Sequence, residues 1–81
     1  MTREEAMEII KKENLRRYNW FNEHLLRESE VVISTDGDGW VVYVTDEKAS
    51  IVSGSIKRFS TESDALENFI KRLRTEKVLF G

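Results

Sequence analysis

The tetrad Asp36-Gly37-Asp38-Gly39 constrains this chain most, because it lies between two runs of residues that favour strands. Residues 31–33 precede it and residues 40–45 follow it, and both runs are β-branched or aromatic. Glycine supplies positive φ and aspartate bonds its own backbone, so the tetrad is typical of a tight turn. The sequence therefore predicts a β-hairpin around it.

A calcium-binding loop is the alternative interpretation of the same stretch. Asp36, Asp38 and Glu47 occupy the first, third and twelfth places of the EF-hand loop. The fifth place would be Trp40, which offers no oxygen ligand, and the sixth would be Val41, where that loop needs glycine. An EF-hand loop also needs a helix on each side, and these flanks favour strands. We therefore predict a turn without a bound metal.

The beginning of the chain has the pattern of an amphipathic helix. Thr2 and Glu5 have the spacing of a capping box, in which each side chain bonds the other residue's backbone N–H. Ala6, Ile9 and Ile10 then mark one face. We predict a helix over about residues 2–13, with Asn14 as a left-handed stop.

The end of the chain predicts a second helix. Ser60 or Thr61 can cap its start, and an apolar stripe follows, formed by Ala65, Leu66, Phe69, Ile70 and Leu73. The apolar tail Val78–Phe80 either returns to the core or offers a contact edge through which the chain could self-associate.

The middle of the chain completes the fold prediction. Ser50 to Phe59 favours a third strand, in which Gly54 invites a bulge or a close backbone approach. Residues 15–28 fit either a strand over about residues 18–25 or a second short helix. We expect one small α+β domain over residues 1–81. Its sheet would be an antiparallel meander of three strands, or four, between an N-terminal and a C-terminal helix.

Composition limits the chemistry that the chain can carry. It has no cysteine, which excludes disulfides and thiolate zinc sites. No apolar run approaches the roughly 20 residues that span a bilayer, and no signal-peptide core follows Met1. We expect a cytoplasmic protein that does not enter a membrane and needs no cofactor.

Catalytic signatures are missing from the sequence. His24 is the only histidine, and nothing beside it marks a nucleophile or an orienting group. The carboxylate pairs Asp36/Asp38 and Asp46/Glu47 fall in predicted turns, where water would prevent the pKa shift that a general acid needs. The glycines match neither the dinucleotide fingerprint nor the P-loop. We therefore predict a protein that is not an enzyme.

Charge is distributed unevenly along the chain. Residues 18–56 carry seven acidic side chains against two basic ones, whereas residues 57–81 carry six basic against four acidic. The acidic middle either forms a solvated rim or faces a basic partner protein. The basic part of the last helix raises the alternative of nucleic-acid binding, although that helix begins with the acidic run of residues 61–64.

Four aromatic side chains permit two interpretations. Trp20, Phe21, Trp40 and Tyr43 can fill the core of a small domain. Alternatively one or two of them, Tyr43 or Trp20 first, stand on an exposed face as binding anchors.

The runs "WVVYVTDEKASIVSG" and "FSTESDALENFIKRLRTEK" resemble small bacterial immunity proteins of the immunity protein 59 type. The resemblance covers about residues 39–77 and rests on an aromatic-rich strand, a Thr-Asp-Glu turn and a closing helix. It implies a protein that binds and blocks a cognate toxin encoded nearby. Because many such toxins act on nucleic acid and have basic clefts, it implies a carboxylate-rich interface. We take the rim charges to be Asp36, Asp38, Asp46 and Glu47, and the candidate anchors to be Trp40 and Tyr43.

Overall fold

The structure, a computed structural model, describes residues 1–80 and has two α-helices and a four-stranded mixed sheet. The elements in chain order are α1 (Arg3–Lys12), β1 (Tyr18–Trp20), β2 (Val31–Asp36), β3 (Gly39–Val44), β4 (Lys57–Phe59) and α2 (Glu62–Phe80). The strands lie side by side in that order. β1 is parallel to β2, and the other two pairs are antiparallel. The predicted α+β class with a helix at each end is confirmed.

The central hairpin forms as predicted. Asp36 pairs with Gly39, which leaves Gly37 and Asp38 as a two-residue turn. Gly37 has a φ of 61°, and positive φ at the first central position alone is the pattern of a type II′ turn. A Cβ atom on Gly39 would lie 2.6 Å from the carbonyl oxygen of Phe59. The second glycine therefore allows β4 to approach β3 closely.

The capping box at the start of α1 is also confirmed. The Thr2 hydroxyl accepts a hydrogen bond from the Glu5 backbone N–H at 3.2 Å, and the Glu5 carboxylate accepts one from the Thr2 N–H at 3.0 Å. The helix ends where Asn14 adopts the left-handed conformation, with a φ of 53°. At the other end of the chain, the Thr61 hydroxyl accepts from the Asp64 N–H at 3.2 Å and caps α2.

The core lies between the two helices and one face of the sheet. Every residue of the predicted α2 stripe is buried there: Ala65, Leu66, Phe69, Ile70 and Leu73. The other members of this cluster are Ala6, Ile10, Leu15, Val31, Ile33 and Val42. Phe69 is central, because the rings of Tyr18 and Trp20 pack against it at centroid distances of 6.2 and 5.9 Å.

Residues 15–28 form neither a strand over 18–25 nor a helix. The strand stops after Trp20 because Phe21 and Asn22 are both left-handed, with φ values of 51° and 57°. β1 also runs parallel to β2 and therefore does not extend the predicted antiparallel meander. A parallel neighbour cannot be joined by a tight hairpin, so residues 21–30 cross back along the sheet.

The third predicted strand is much shorter than residues 50–59. Only Lys57–Phe59 joins the sheet, after an isolated bridge between Thr45 and Ile51 and a 3-10 turn at Ser53–Ser55. The Ser55 hydroxyl takes the place of a strand partner by accepting the Val44 N–H at 3.0 Å. Gly54 lies in this turn with open space around it, so the predicted bulge or close approach is wrong.

Candidate binding face

One face of the sheet is covered by no helix. Side chains alternate along each strand, and the strand register puts Asn19, Val32 and Tyr43 in one row of the face opposite α1 and α2. Ser34, Val41 and Arg58 form the next row. We call this surface the open face. Of these six residues only Tyr43 and Arg58 are not buried, so a partner would reach this face on its β3–β4 side.

Residues 21–30, which we call the strap, lie across part of the open face and are held there by polar contacts. The Asn19 side-chain amide donates to the His24 carbonyl at 2.9 Å, and that of Asn22 donates to the Ser34 hydroxyl at 2.7 Å. The Thr45 hydroxyl donates to the Arg27 carbonyl at 2.6 Å. These bonds bury Asn19 and Val32 completely. The strap is therefore a fixed part of this surface.

The strap presents an apolar tip. Leu25 is 89% exposed, although it is a large aliphatic side chain. Beside it lies a cleft of about 570 Å³ lined by Asn22, Glu23, His24, Leu25, Leu26 and Tyr43. Tyr43 is half-buried, and this burial raises the pKa of its phenol. The phenol therefore stays neutral and able to donate a hydrogen bond in ordinary buffers.

Three further exposed apolar side chains lie in the segment between β3 and β4. Ile56 directly precedes β4, and the register of β3 with β4 places it beside Tyr43. Ile51, Val52 and Ile56 are 44%, 39% and 37% exposed. Ile51 pairs with Thr45 and so lies on the same face as Tyr43, whereas Val52 bonds to Val44 and lies on the helix side. We call Leu25, Tyr43, Ile51 and Ile56 the apolar patch. An aromatic residue within such a patch is typical of protein–protein contact surfaces.

The four predicted rim carboxylates lie at the two ends of β3. Asp36 and Asp38 belong to the hairpin turn, and Asp46 and Glu47 follow the other end of the strand. Asp36 pairs with Arg58 at 2.6 Å, and the Asp46 carboxylate accepts the backbone N–H groups of residues 48 and 50. Within residues 1–80, the carboxylates of Asp38 and Glu47 are exposed and have no hydrogen-bond or ion-pair partner. These two are available to a basic surface.

Trp40 lies on the helix side of the sheet, opposite Tyr43. Its indole N–H donates to the Glu62 carboxylate at 3.0 Å, and that carboxylate also accepts from the Arg3 guanidinium at 2.8 Å. The Arg3 hydrogen bond holds the pKa of Glu62 below its ordinary value. The structure therefore does not bring the two predicted aromatic anchors together. Trp40 packs against the core and links β3 to the start of α2.

The basic part of α2 is largely committed to contacts within the chain. Arg74 forms a bidentate pair with Glu13 at 2.6 and 2.9 Å, and Lys77 donates to the Glu13 backbone carbonyl. Arg72 is half-buried, and burial lowers the pKa of its guanidinium. Lys71 remains exposed. The internal contacts of Arg74 and Lys77 and the burial of Arg72 make these side chains less available to phosphates than a fully solvated basic helix end would be.

A comparison with protein families establishes the family of this chain. The family model for immunity protein 59 matches residues 2–79. The chain belongs to the immunity protein 59 family. The match spans nearly the whole chain and includes β1 and the strap, which lie outside the resemblance over residues 39–77. Comparisons with curated proteins and with solved structures gave no match.

Membership of the immunity protein 59 family gives the function in outline. A protein of such a family neutralises a toxin, its partner is that toxin protein, and such families are generally non-catalytic. The ring nitrogens of His24 lie 2.8 and 3.3 Å from the carbonyl oxygens of Leu25 and Tyr18, and its Nε2 lies 3.8 Å from the Glu30 carboxylate.

Metal sites and membrane-spanning helices are both absent from the described part of this immunity protein. Residues 1–80 contain no group of three or more metal-ligating side chains that could hold an ion. Neither α-helix in that range has the length and apolarity to cross a membrane.

Sequence reasoning missed the strap as a part of the immunity protein's candidate interface. Leu25 and Leu26 stand in the stretch that fits either a strand or a short helix, so its pattern does not say whether they face the core or the solvent. Tyr43 was identified from the sequence, and its position on the open face follows from alternation along β3.

Proposed function

We propose that this immunity protein neutralises its toxin by covering it with the open face, so that the toxin cannot reach its substrate. The mechanism is occlusion and involves no catalysis by the immunity protein. The observation that carries the proposal is the apolar patch around Tyr43 and Leu25, which is flanked at both ends of β3 by carboxylates.

The apolar patch would supply the affinity. Interfaces depend on a few buried anchors, and tyrosine is among the most frequent of them. Tyr43 presents a rigid ring with a neutral hydroxyl, and Leu25 can lose nearly all of its water contact on binding. A standard interface covers about 800 Å² on each partner, or about 15% of the 5284 Å² surface of this protein.

The carboxylates would supply attraction at long range. Asp38 and Glu47 have no internal partner within residues 1–80, so their charge acts outward. Asp36 and Asp46 add to the same acidic field, although each also has an internal contact. We propose that the toxin presents a basic surface here and that its gene lies near that of the immunity protein.

Affinity measurements on the toxin domain encoded by the neighbouring gene test the proposal. Tyr43→Ala and Leu25→Ala should each weaken binding about 30-fold or more, the effect of losing an anchor worth about 2 kcal/mol. Val78→Ala is the matched control, because Val78 is 85% exposed on α2 and lies away from the open face. Unchanged affinity in both open-face variants, or failure of the wild-type proteins to form a complex, would overturn the proposal.

The role of the carboxylates has a separate readout. Asp38→Asn and Glu47→Gln should slow association and reduce its dependence on salt, with little change in the dissociation rate. Glu8→Gln provides the control, since Glu8 is an exposed acid on α1. If Glu8→Gln slowed association as much as the other two substitutions, the steering would come from net charge and not from this rim.

A further inference from the structure

The outer side of α2 carries a second surface that toxin binding by the open face does not use. A groove of about 840 Å³ runs along the helix and reaches from Phe59 at one end to Val78 and Leu79 at the other. Val78 and Leu79 are 85% and 68% exposed. An exposed apolar end on a helix that is otherwise well packed is typical of a protein–protein contact site.

The charges in this groove have a fixed order. Asp64 and Glu67 lie in its first half, whereas Lys71 and Arg74 lie in its second half. All four side chains are exposed. A surface that is acidic at one end and basic at the other is complementary to a copy of itself turned end for end.

An unpaired acceptor lies near the middle of the groove. The amide oxygen of Asn68 is buried and has no hydrogen-bond partner within residues 1–80. A buried acceptor without a donor is unfavourable, so a donor from outside the chain would stabilise it. Lys71 lines the same groove one helical turn away, and in an antiparallel pair centred beside Phe69 the Lys71 of a second copy faces Glu67, the neighbour of Asn68.

We propose that two copies of this protein pair through α2 in an antiparallel, two-fold symmetric dimer whose axis passes beside Phe69. This register sets Glu67 against Lys71 of the other copy and Asp64 against Arg74, and symmetry makes each pair twice. Arg74 bonds Glu13 through Nε and Nη2, which leaves Nη1 for the second carboxylate. The same register lays Leu79 against Phe59, so the exposed apolar end is covered.

The proposed dimer leaves the open face free. α2 packs on the opposite side of the sheet, so neither copy would cover Tyr43 or Leu25 of the other. Each dimer would then hold two toxin molecules.

A charge-swap experiment in solution tests the register. Sedimentation equilibrium of the wild-type protein from about 5 to 500 μM should show a dimer whose population falls as salt rises. Glu67→Lys alone sets lysine against Lys71, and Lys71→Glu alone sets glutamate against Glu67, so each variant alone should be monomeric. An equimolar mixture of the two should form a heterodimer, because every facing pair is again of opposite charge. The double variant E67K/K71E should recover the homodimer.

The outcomes separate the dimer from its rivals. A wild-type protein that stays monomeric throughout, single variants that still dimerise, or a mixture that stays monomeric would each overturn the proposal. If the groove binds toxin instead, the single variants would weaken the toxin complex while the wild-type protein remains monomeric. Under our proposal toxin affinity per protomer is unchanged in both variants, so failure of the dimer and failure of toxin binding by the open face are told apart. Circular dichroism checks that each variant is folded.

Discussion

Removing the Thr45 hydroxyl should loosen the strap, and the structure allows the effect to be estimated. Thr45 is 5% exposed, accepts the Glu30 N–H at 2.9 Å and donates to the Arg27 carbonyl at 2.6 Å. Thr45→Val keeps the shape of the side chain and deletes both hydrogen bonds. The Glu30 N–H, which is buried with its residue, is left without an acceptor.

The expected loss of stability is about 2 kcal/mol. Each hydrogen bond contributes about 1 kcal/mol, an orphaned buried N–H adds about 1 kcal/mol of desolvation, and the extra methyl group returns just under 1 kcal/mol. A domain of this length has a free energy of unfolding of about 4–12 kcal/mol. The substitution should therefore remove a large fraction of it and lower the urea midpoint by about 1.5 M, for a slope of about 1.3 kcal/mol/M.

Urea unfolding followed by tryptophan fluorescence gives the midpoint, and amide hydrogen exchange at Glu30 reports whether the strap detaches on its own. Thr35→Val is the matched control, because Thr35 is exposed and its hydroxyl makes no hydrogen bond within residues 1–80. That control should shift stability by no more than about 0.5 kcal/mol. If Thr45→Val matched the control in midpoint and Glu30 kept its full protection, the strap would not depend on this hydroxyl and our reasoning would be refuted.

Two further predictions concern the scaffold. Gly39→Ala should lower the free energy of unfolding by about 2 kcal/mol, because its Cβ would lie 2.6 Å from the Phe59 carbonyl oxygen. Gly54→Ala is the control, since open space surrounds Gly54, and it should change the free energy of unfolding in urea by less than about 0.5 kcal/mol. Equal effects of the two substitutions would exclude the clash. Glu62 has a folded pKa below 4.5 because of Arg3, so its stabilisation is present above pH 4.5 and is lost as pH falls through the lowered value. Glu62→Gln should therefore be less stable than wild type by about 1 kcal/mol at pH 7 and should converge with it at acid pH, below the lowered pKa of Glu62. A gap that persisted in urea titrations at acid pH would contradict this.

The parts of the fold that could be predicted are those with local signals. The backbone preferences of the four Asp-Gly residues determine the hairpin. The helices are indicated by a capping box and by the spacing of apolar residues. The buried stripe of α2 matched its prediction at all five positions, because a 3.6-residue period leaves only one face for the core.

The parts that could not be predicted are set by distant contacts. β1 ends at left-handed Phe21 and pairs in parallel with a strand ten residues further on, and neither feature has a local sequence preference behind it. Ser50 to Phe59 has the composition of a strand, but side-chain bonds from Asp46 and Ser55 replace the ladder there. These hydrogen bonds from serine and aspartate side chains compete with strand pairing, and residue propensities alone do not predict them.

The candidate site shows the same division. Tyr43 could be placed on a sheet face from alternation alone, but which face the helices cover depends on how the chain packs. The partner of the Trp40 indole, Glu62, is 22 residues away and decides that this aromatic points to the helices. Leu25 lies in the stretch whose pattern fits both a strand and a helix, so only the folded strap shows that it projects outward.

Alternation along β3 has a consequence for how recognition could be changed. Trp40, Val42 and Val44 point towards the helices, while Val41 and Tyr43 point away from them. Residues that pack against the helices therefore alternate with residues of the open face along five consecutive positions. A library that randomises Tyr43, together with Leu25, would vary the proposed toxin contacts and leave the buried residues of β3, including Val41, unchanged. If these residues contact the toxin as we propose, re-targeting this protein should need few compensating changes, since neither of them belongs to the buried core.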